Sequence, residues 1–405
     1  MTSRLSRCGI ALGPALTCFV LAGLTAGGMG DTRDDTPGNS AVAVSAITGF
    51  GLRLLGQMAM QDSTSNILIS PTGLSLALTM AYNGAAGETA REMAAVLDLE
   101  GYDPDEVNSA YASLVRDLPA SGGDVGLEIA NSLWADSGTP FRQEFLDMSS
   151  AVYRAAVEAV DLRAPEVPGL INAWVGEATH GHVGPIIDHI DPDVVLYIAS
   201  AMYFEGRWAV PFDTSRTSLR DFTLPDGSTK AVPTMMAELG EAHYYVGDGF
   251  KAARLDYGDG RISMYLFLPD EASSLQAFYG MLNPDNWAMW LAGFETGPAR
   301  LLLPRIDLEY NVVLNDALKA LGMRRAFGAA DFRRMTSARV FISMVKHSTR
   351  LEVTEQGTEA ASVAVVEIKK GLTMQLDFTR PFCFAIADRP TGAILFLGTV
   401  TVPSD

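Results

Sequence analysis

The run "VVLYIASAMYF", residues 194–204, is apolar on both of its alternating faces. Successive side chains of a strand point to opposite sides, so a strand of this kind must be covered above and below. The requirement implies a large sheet with layers packed on both sides, and it excludes an open hairpin fold. The chain can supply those layers. It has 405 residues, 48% of them hydrophobic, which is enough for a sizeable core and too apolar for a disordered chain.

Apolar periodicity predicts helices over 42–61, 71–86, 87–97, 105–117, 140–153, 165–179 and 313–322. In the second, Ser70 is a natural N-cap and Pro71 suits the first helical position. Further strands are predicted at 127–135, 155–162, 262–268, 299–310 and 340–355, with a closing hairpin at 382–400 that turns at "DRPTG". Helices dominate early and strands late, without regular alternation. The pattern favours a single α+β domain over a doubly wound α/β fold.

Arg4 and Arg7 precede the apolar "CGIALGPALTCFVLAGLTAGG", and Ala26 and Gly28 supply small residues before a polar stretch. Residues 1–30 therefore read as a secretory signal peptide and 31–41 as a polar linker, with a retained membrane anchor as the alternative. The expected location is secreted, extracellular or periplasmic. Cleavage leaves Cys383 as the last cysteine, so no intrachain disulfide is available. Its setting, "PFCFAI", suits a small buried hydrophobe.

A net charge of −18 argues against nucleic acid or an anionic membrane surface as the principal partner. The sequence shows no Walker loop, dinucleotide fingerprint or Gly-x-Ser-x-Gly elbow, so no cofactor and no catalytic group of its own are expected. "THGHVGPIIDH" brings His180, His182 and His189 near one another, but without cysteine or a His-Glu-x-x-His pattern it predicts no metal site. His347 reads as a polar structural residue.

The stretch "EVTEQGTEAASVAVVEIKKG", 352–371, is of another kind. Read with a period of two, Thr358, Ala360, Ser362, Ala364, Val366 and Ile368 form an uncharged face. Glu359, Ala361, Val363, Val365, Glu367 and Lys369 form the other. The first face can enter a sheet, whereas Gly357 and the adjacent Lys369 and Lys370 suit an exposed segment. The residues alone leave strand and loop both open.

Several segments together resemble the serpins, over 42–402. "NILISPTGLSLALTMAYNGAAGETAREM" resembles the family's early helix pair, "LINAWVGEATHGHV" its sheet-covering helix, and "SAMYFEGRWAVPFD" with "DGSTKAVPTMM" its middle strands. "GTEAAS", "DFTRPFCFAI" and "GAILFLGTV" resemble its hinge and carboxyl-terminal hairpin. The resemblance implies a serpin fold: a large central mixed β-sheet, further sheets, about nine helices and an exposed reactive-centre loop at about 357–376. It implies no enzyme, but a monomeric, single-use suicide inhibitor of a serine protease. Cleavage of the loop would let its first half insert into the central sheet and trap the protease as an acyl complex.

On this resemblance Glu355, Gly357, Thr358, Glu359, Ala360, Ala361, Ser362 and Ala364 form the hinge, and Ser70, Ser200, Trp208 and His347 the sheet-opening region. Counting from Glu355 places the reactive bond after Gly371; counting back from Phe378 places it between Lys370 and Gly371. The second is preferred and implies a trypsin-like target, with Lys369 and Leu372 as neighbouring alternatives. Ser200 stands where the family usually has asparagine, which predicts an altered hydrogen-bond cluster with Ser70 and His347. A lysine is common at His182. A non-inhibitory carrier, chaperone or storage serpin is the alternative function; the uncharged hinge face weighs against it.

Overall fold

Several helices start at a side-chain cap. A computed structural model describes residues 40–118, 125–191, 194–357 and 373–404. The first half runs α1 (Ala41–Gln61), β1 (Ile67–Ile69), α2 (Pro71–Gly84), α3 (Gly87–Val96), α4 (Pro104–Asp117), β2 (Val125–Asp136), α5 (Gln143–Tyr153), β3 (Ala156–Val160), α6 (Val167–Ala178) and β4 (Leu196–Gly206). Then come β5 (Ser218–Thr223), β6 (Thr229–Gly247), β7 (Phe250–Tyr257), β8 (Ile262–Pro269), α7 (Leu275–Tyr279), α8 (Pro284–Ala292) and β9 (Glu295–Pro304). The chain continues through β10 (Ile306–Val313), α9 (Asn315–Leu321), β11 (Met344–Val353), β12 (Met374–Asp377), β13 (Phe382–Asp388) and β14 (Ile394–Val400).

Ser70 caps α2 by accepting the Gly73 N–H at 2.9 Å, with Pro71 next in line. Asp103 with Pro104 and Asn283 with Pro284 start α4 and α8 in the same way. The β13–β14 turn is held by Asp388, whose carboxylate accepts from Thr391 and, at 2.7 Å, from Arg261 Nε.

Among the described residues the strands form two sheets. One, of nine strands, runs β1-β14-β13-β8-β7-β6-β9-β12, with β5 paired to β6. The other, of five, runs β10-β11-β4-β2-β3. At its centre β11 and β4 are parallel, from Met344 opposite Tyr197 to Arg350 opposite Tyr203, whereas each pairs antiparallel with its outer neighbour.

β4 is covered on both faces, as its sequence requires. Ile198, Met202 and Phe204 join the main core with α2, and Tyr197, Ala199 and Ala201 join a second cluster under α6. Val167, Ile171 and Val175 form the buried stripe of α6 at helical spacing. Cys383 is buried in β13, and burial raises its thiol pKa well out of the reactive range.

Two expectations are corrected, and α7 and α8 lie outside the predicted set. The single strand predicted over 299–310 is two, β9 and β10, which belong to different sheets and part at Pro304 and Arg305. Apolar alternation continues across the break, so periodicity alone does not show it. α7 and α8 have too few turns to display a helical period. The helix predicted from 140 starts only at Gln143, because Phe141 bridges Thr336 and the Arg142 N–H donates to the Met335 carbonyl.

Candidate functional site

The seam between β4 and β11 is underlain by small polar side chains, all buried. His347, fully buried on β11, accepts the Ser70 N–H through Nε2 at 2.9 Å, and its Nδ1 donates to the Ser200 carbonyl at 3.1 Å. Both nitrogens are engaged, which fixes the neutral tautomer. Burial pushes the imidazole pKa down to about 3, against a smaller upward pull from the Ser200 carbonyl. The Ser200 hydroxyl faces Asn131 on β2: with the amide oriented to satisfy both its ends, the Asn131 nitrogen donates to Ser200 Oγ at 3.0 Å and to the Gly73 carbonyl at 3.3 Å. Thr349 Oγ1 donates to the Leu68 carbonyl at 2.8 Å.

Ser70, Ser200 and His347 are brought together, with His347 bonded to the Ser70 main-chain N–H and the Ser200 main-chain carbonyl. Serine at 200 does not break this contact, since His347 uses the main-chain carbonyl there and Asn131 supplies an amide from the next strand. Asn131 carries no distinguishing signal in the sequence, since it shares β2 with the polar Glu128, Ser132 and Asp136.

At the end of β11 the chain turns sharply. Thr354 and Gly357 bond each other in both directions, Thr354 N–H to the Gly357 carbonyl at 2.9 Å and the reverse at 3.2 Å, and the Thr354 hydroxyl adds a third bond at 2.8 Å. Gly357 has φ +100°, and a Cβ there would lie 2.2 Å from the Gly206 carbonyl oxygen and 2.6 Å from the Trp208 nitrogen. Only glycine fits, for conformation and for space.

The segment after β4 clamps this turn. Trp208 donates from its backbone to the Gln356 carbonyl at 3.0 Å and from Nε1 to the Thr354 carbonyl at 2.9 Å, and the Phe212 N–H donates to the Glu355 carbonyl at 2.8 Å. Glu355, only 4% exposed, takes a forked pair from Arg305, with Nη2 at 2.7 Å and Nε at 3.0 Å, and the Thr217 hydroxyl at 2.6 Å. Burial raises its carboxyl pKa, but the Arg305 and Thr217 bonds outweigh burial and the net shift is downward. Trp208, grouped on the resemblance with Ser70, Ser200 and His347, makes its hydrogen bonds to the turn at Thr354–Gly357. Arg305 and Thr217 carried no sequence signal, being far from Glu355 along the chain.

Thr358, Glu359, Ala360, Ala361, Ser362 and Ala364 of the predicted hinge, and Lys369, Lys370, Gly371 and Leu372 around the reactive bond, lie outside the described residues, as do residues 1–30. His180 Nδ1 sits 3.4 Å from a Glu128 oxygen, and His182 stacks on Tyr203 with centroids 3.9 Å apart. Among the described residues no histidine, cysteine and carboxylate group gathers as a metal site.

The sequence profile of the family described as serpin (serine protease inhibitor) matches residues 45–403. The chain belongs to the serpin family. It is 32% identical over 91% of its length to an uncharacterized serpin-like protein of Thermococcus kodakarensis, covering 87% of that protein. It is 33% identical over 88% of its length to leukocyte elastase inhibitor of Bos taurus, covering 98% of it. The native-state crystal structure of the thermophilic serpin tengpin superposes with a TM-score of 0.82 at 28% identity, over 89% of this chain and 94% of that one. The serpin fold accounts for the nine helices seen among the described residues and for the mixed sheet with its parallel central pair. Serpins are generally protease inhibitors.

Proposed function

We propose that this serpin is a secreted, inhibitory member that traps a trypsin-like serine protease by inserting its cleaved loop between β4 and β11. The observation that carries the reading is the direction of the seam. β4 and β11 run parallel, and the chain leaves β11 by reversing at Thr354–Gly357. A strand returning from Gly357 between them is antiparallel to both and completes two hydrogen-bond ladders. Each ladder bond is worth about 0.5–1.5 kcal/mol net, so a strand's worth stores on the order of 10 kcal/mol.

The seam is suited to parting. The layer beneath it includes a polar cluster of Ser70, Asn131, Ser200 and His347, joined by hydrogen bonds, among the apolar side chains of β4 and α2. Large interdigitated apolar side chains in place of that cluster would leave a cavity on opening, at several kcal/mol. The uncharged face from Thr358 to Ile368 supports insertion from the other side, since it buries no charge.

Lys370 before Gly371 supports a target whose specificity pocket holds a carboxylate. The bovine relative is named for inhibiting elastase, so elastase is the informative control. The test is to mix the protein with trypsin, run a denaturing gel and determine the mass of the released carboxyl-terminal peptide. The expected result is a complex that survives denaturation and a peptide beginning at Gly371. Cleavage without a complex would replace this reading with a non-inhibitory one, and a complex with elastase but not trypsin would move the reactive bond off Lys370.

A further inference from the structure

Among the described residues β10 is an edge of the five-stranded sheet, with β11 as its one neighbour. In an antiparallel ladder alternate residues turn their N–H and C=O toward the partner strand, and the rest turn theirs away. Asp307 turns both away, since they meet Ser404 and not Glu352, the residue opposite on β11. Glu309, Asn311 and Val313 share that parity, so their main-chain groups face outward too. All four residues are exposed. A row of outward main-chain groups of this kind is a template for another strand.

The residues after β14 close one end of this row. Asn66 Oδ1 accepts the Thr401 and Val402 N–H groups at 2.7 and 2.9 Å, and Asn66 Nδ2 donates to the Val402 carbonyl at 2.7 Å. Lys230 Nζ donates to the Pro403 carbonyl at 2.9 Å. The segment held in this way delivers the Ser404 hydroxyl to β10, where it accepts the Asp307 N–H at 3.0 Å and donates to the Asp307 carbonyl at 2.9 Å. One side chain thereby does what an opposite residue on a neighbouring strand would do. None of these bonds involves the seam or the hinge turn.

We propose that the outer edge of β10 is a docking surface for the same edge of a second copy of this chain, and that residues 401–404 guard it. An edge common to both partners pairs with itself about a two-fold axis. The longest such pairing is centred on Tyr310. It sets Asp307 opposite Val313 of the second copy and Glu309 opposite Asn311, so all four outward residues of each strand find partners and no like charges face each other. Centring on Glu309 would set two carboxylates face to face, and centring on Asn311 leaves Asp307 unpaired. The flanking charges on β11 fit the first register. Glu352 stands opposite Asp307, and Arg350 reaches both Asp307, at 3.4 Å, and Glu309, at 3.6 Å. Lys346, near Asp188, stands opposite Val313, so the acidic end of one strand meets a balanced end of the other. That register needs the Asp307 N–H and carbonyl, and Ser404 occupies both. The guarded chain stays single, and an unguarded one pairs.

The test compares the whole chain with a variant lacking residues 403–405 by sedimentation velocity, across about a hundredfold range of concentration. The whole chain should stay monomeric, and the shortened one should become a dimer as concentration rises. Asn311→Glu added to the shortened chain sets like charges opposite at both Glu309 positions and should weaken the dimer about tenfold. In the full-length Ser404→Ala protein the Asp307 amide should exchange hydrogen about tenfold faster than in the parent. The register is read by mixing shortened chains that carry Glu309→Cys and Asn311→Cys. Hydrogen-bonded opposite residues lie about 5.5 Å apart, within disulfide reach, so the mixture should cross-link on oxidation and neither variant alone should exceed the shortened parent. A shortened chain that stays monomeric, a dimer indifferent to Asn311→Glu, or a mixture that does not cross-link would overturn the docking surface. A whole chain that dimerises as readily, or an Asp307 amide unchanged by Ser404→Ala, would overturn the guard. If the shortened chain does not fold, the cysteine pair in the Ser404→Ala background decides: cross-linking is expected there and not with Ser404 in place, and its absence would overturn the proposal.

Discussion

His347 Nε2 accepts the main-chain N–H of Ser70 at 2.9 Å across a separation of 277 residues, joining the first turn of α2 to the seam between β11 and β4. The bond exists only while His347 is neutral, because the other nitrogen already donates to Ser200. Protonating Nε2 would set two donors against each other.

The first prediction concerns pH. Burial holds His347 near pKa 3 in the folded protein, whereas the unfolded chain takes up its proton near 6.5. The stabilisation from neutral His347 is complete above pH 6.5 and is lost as pH falls toward 3. Unfolding in urea should show stability about 2 kcal/mol lower at pH 5 than at pH 7 from this group. His347→Gln should be less stable at pH 7 and flatter between those values; equal slopes in the two proteins would exclude His347 as the source.

Arg305→Ala removes the ion pair of the nearly buried Glu355 and leaves the neutral Thr217 hydroxyl as a side-chain donor to it. The variant should lose about 2 kcal/mol in denaturant unfolding, and the Gly357 amide should exchange faster as the turn loosens. A variant as stable and as protected as the parent would show that the ion pair does not hold the hinge.

Gly357→Ala meets both a positive φ and the backbone of 206–208. The turn has to move away, which breaks the Trp208 bonds to Gln356 and Thr354. The expected loss is about 2 kcal/mol, accompanied by a red shift of tryptophan emission as Trp208 becomes wetter. Unchanged emission and stability would mean that the close approach relaxes freely.

On the proposed inhibitory reading, Thr358→Arg puts a charge on the face proposed to enter the sheet. Insertion should slow, and the stoichiometry of inhibition should rise severalfold as cleaved substrate accumulates. The rate of attack on the loop, measured as total cleavage, should change little. An unchanged stoichiometry would assign the inserting face to the other set of residues.

The sequence by itself determined most of the elements and one decisive constraint. Both-sided apolarity in 194–204 required a covered strand, and β4 is one; Ser70 with Pro71 marked the start of α2 to the residue. Such features are local, and a period or a cap is written in consecutive residues. The expectation of a hinge and an opening sheet came from the resemblance to serpins; no period shows it. Tertiary structure alone decided that 299–310 is divided between two sheets, that Asn131 completes the cluster beneath the seam, and that Arg305, Thr217 and Trp208 hold Glu355 and its turn. Each of these depends on groups far apart along the chain, brought within bonding distance by the pairing of sheets. A one-dimensional pattern records what each residue can do, and only the packed fold fixes which partner it meets.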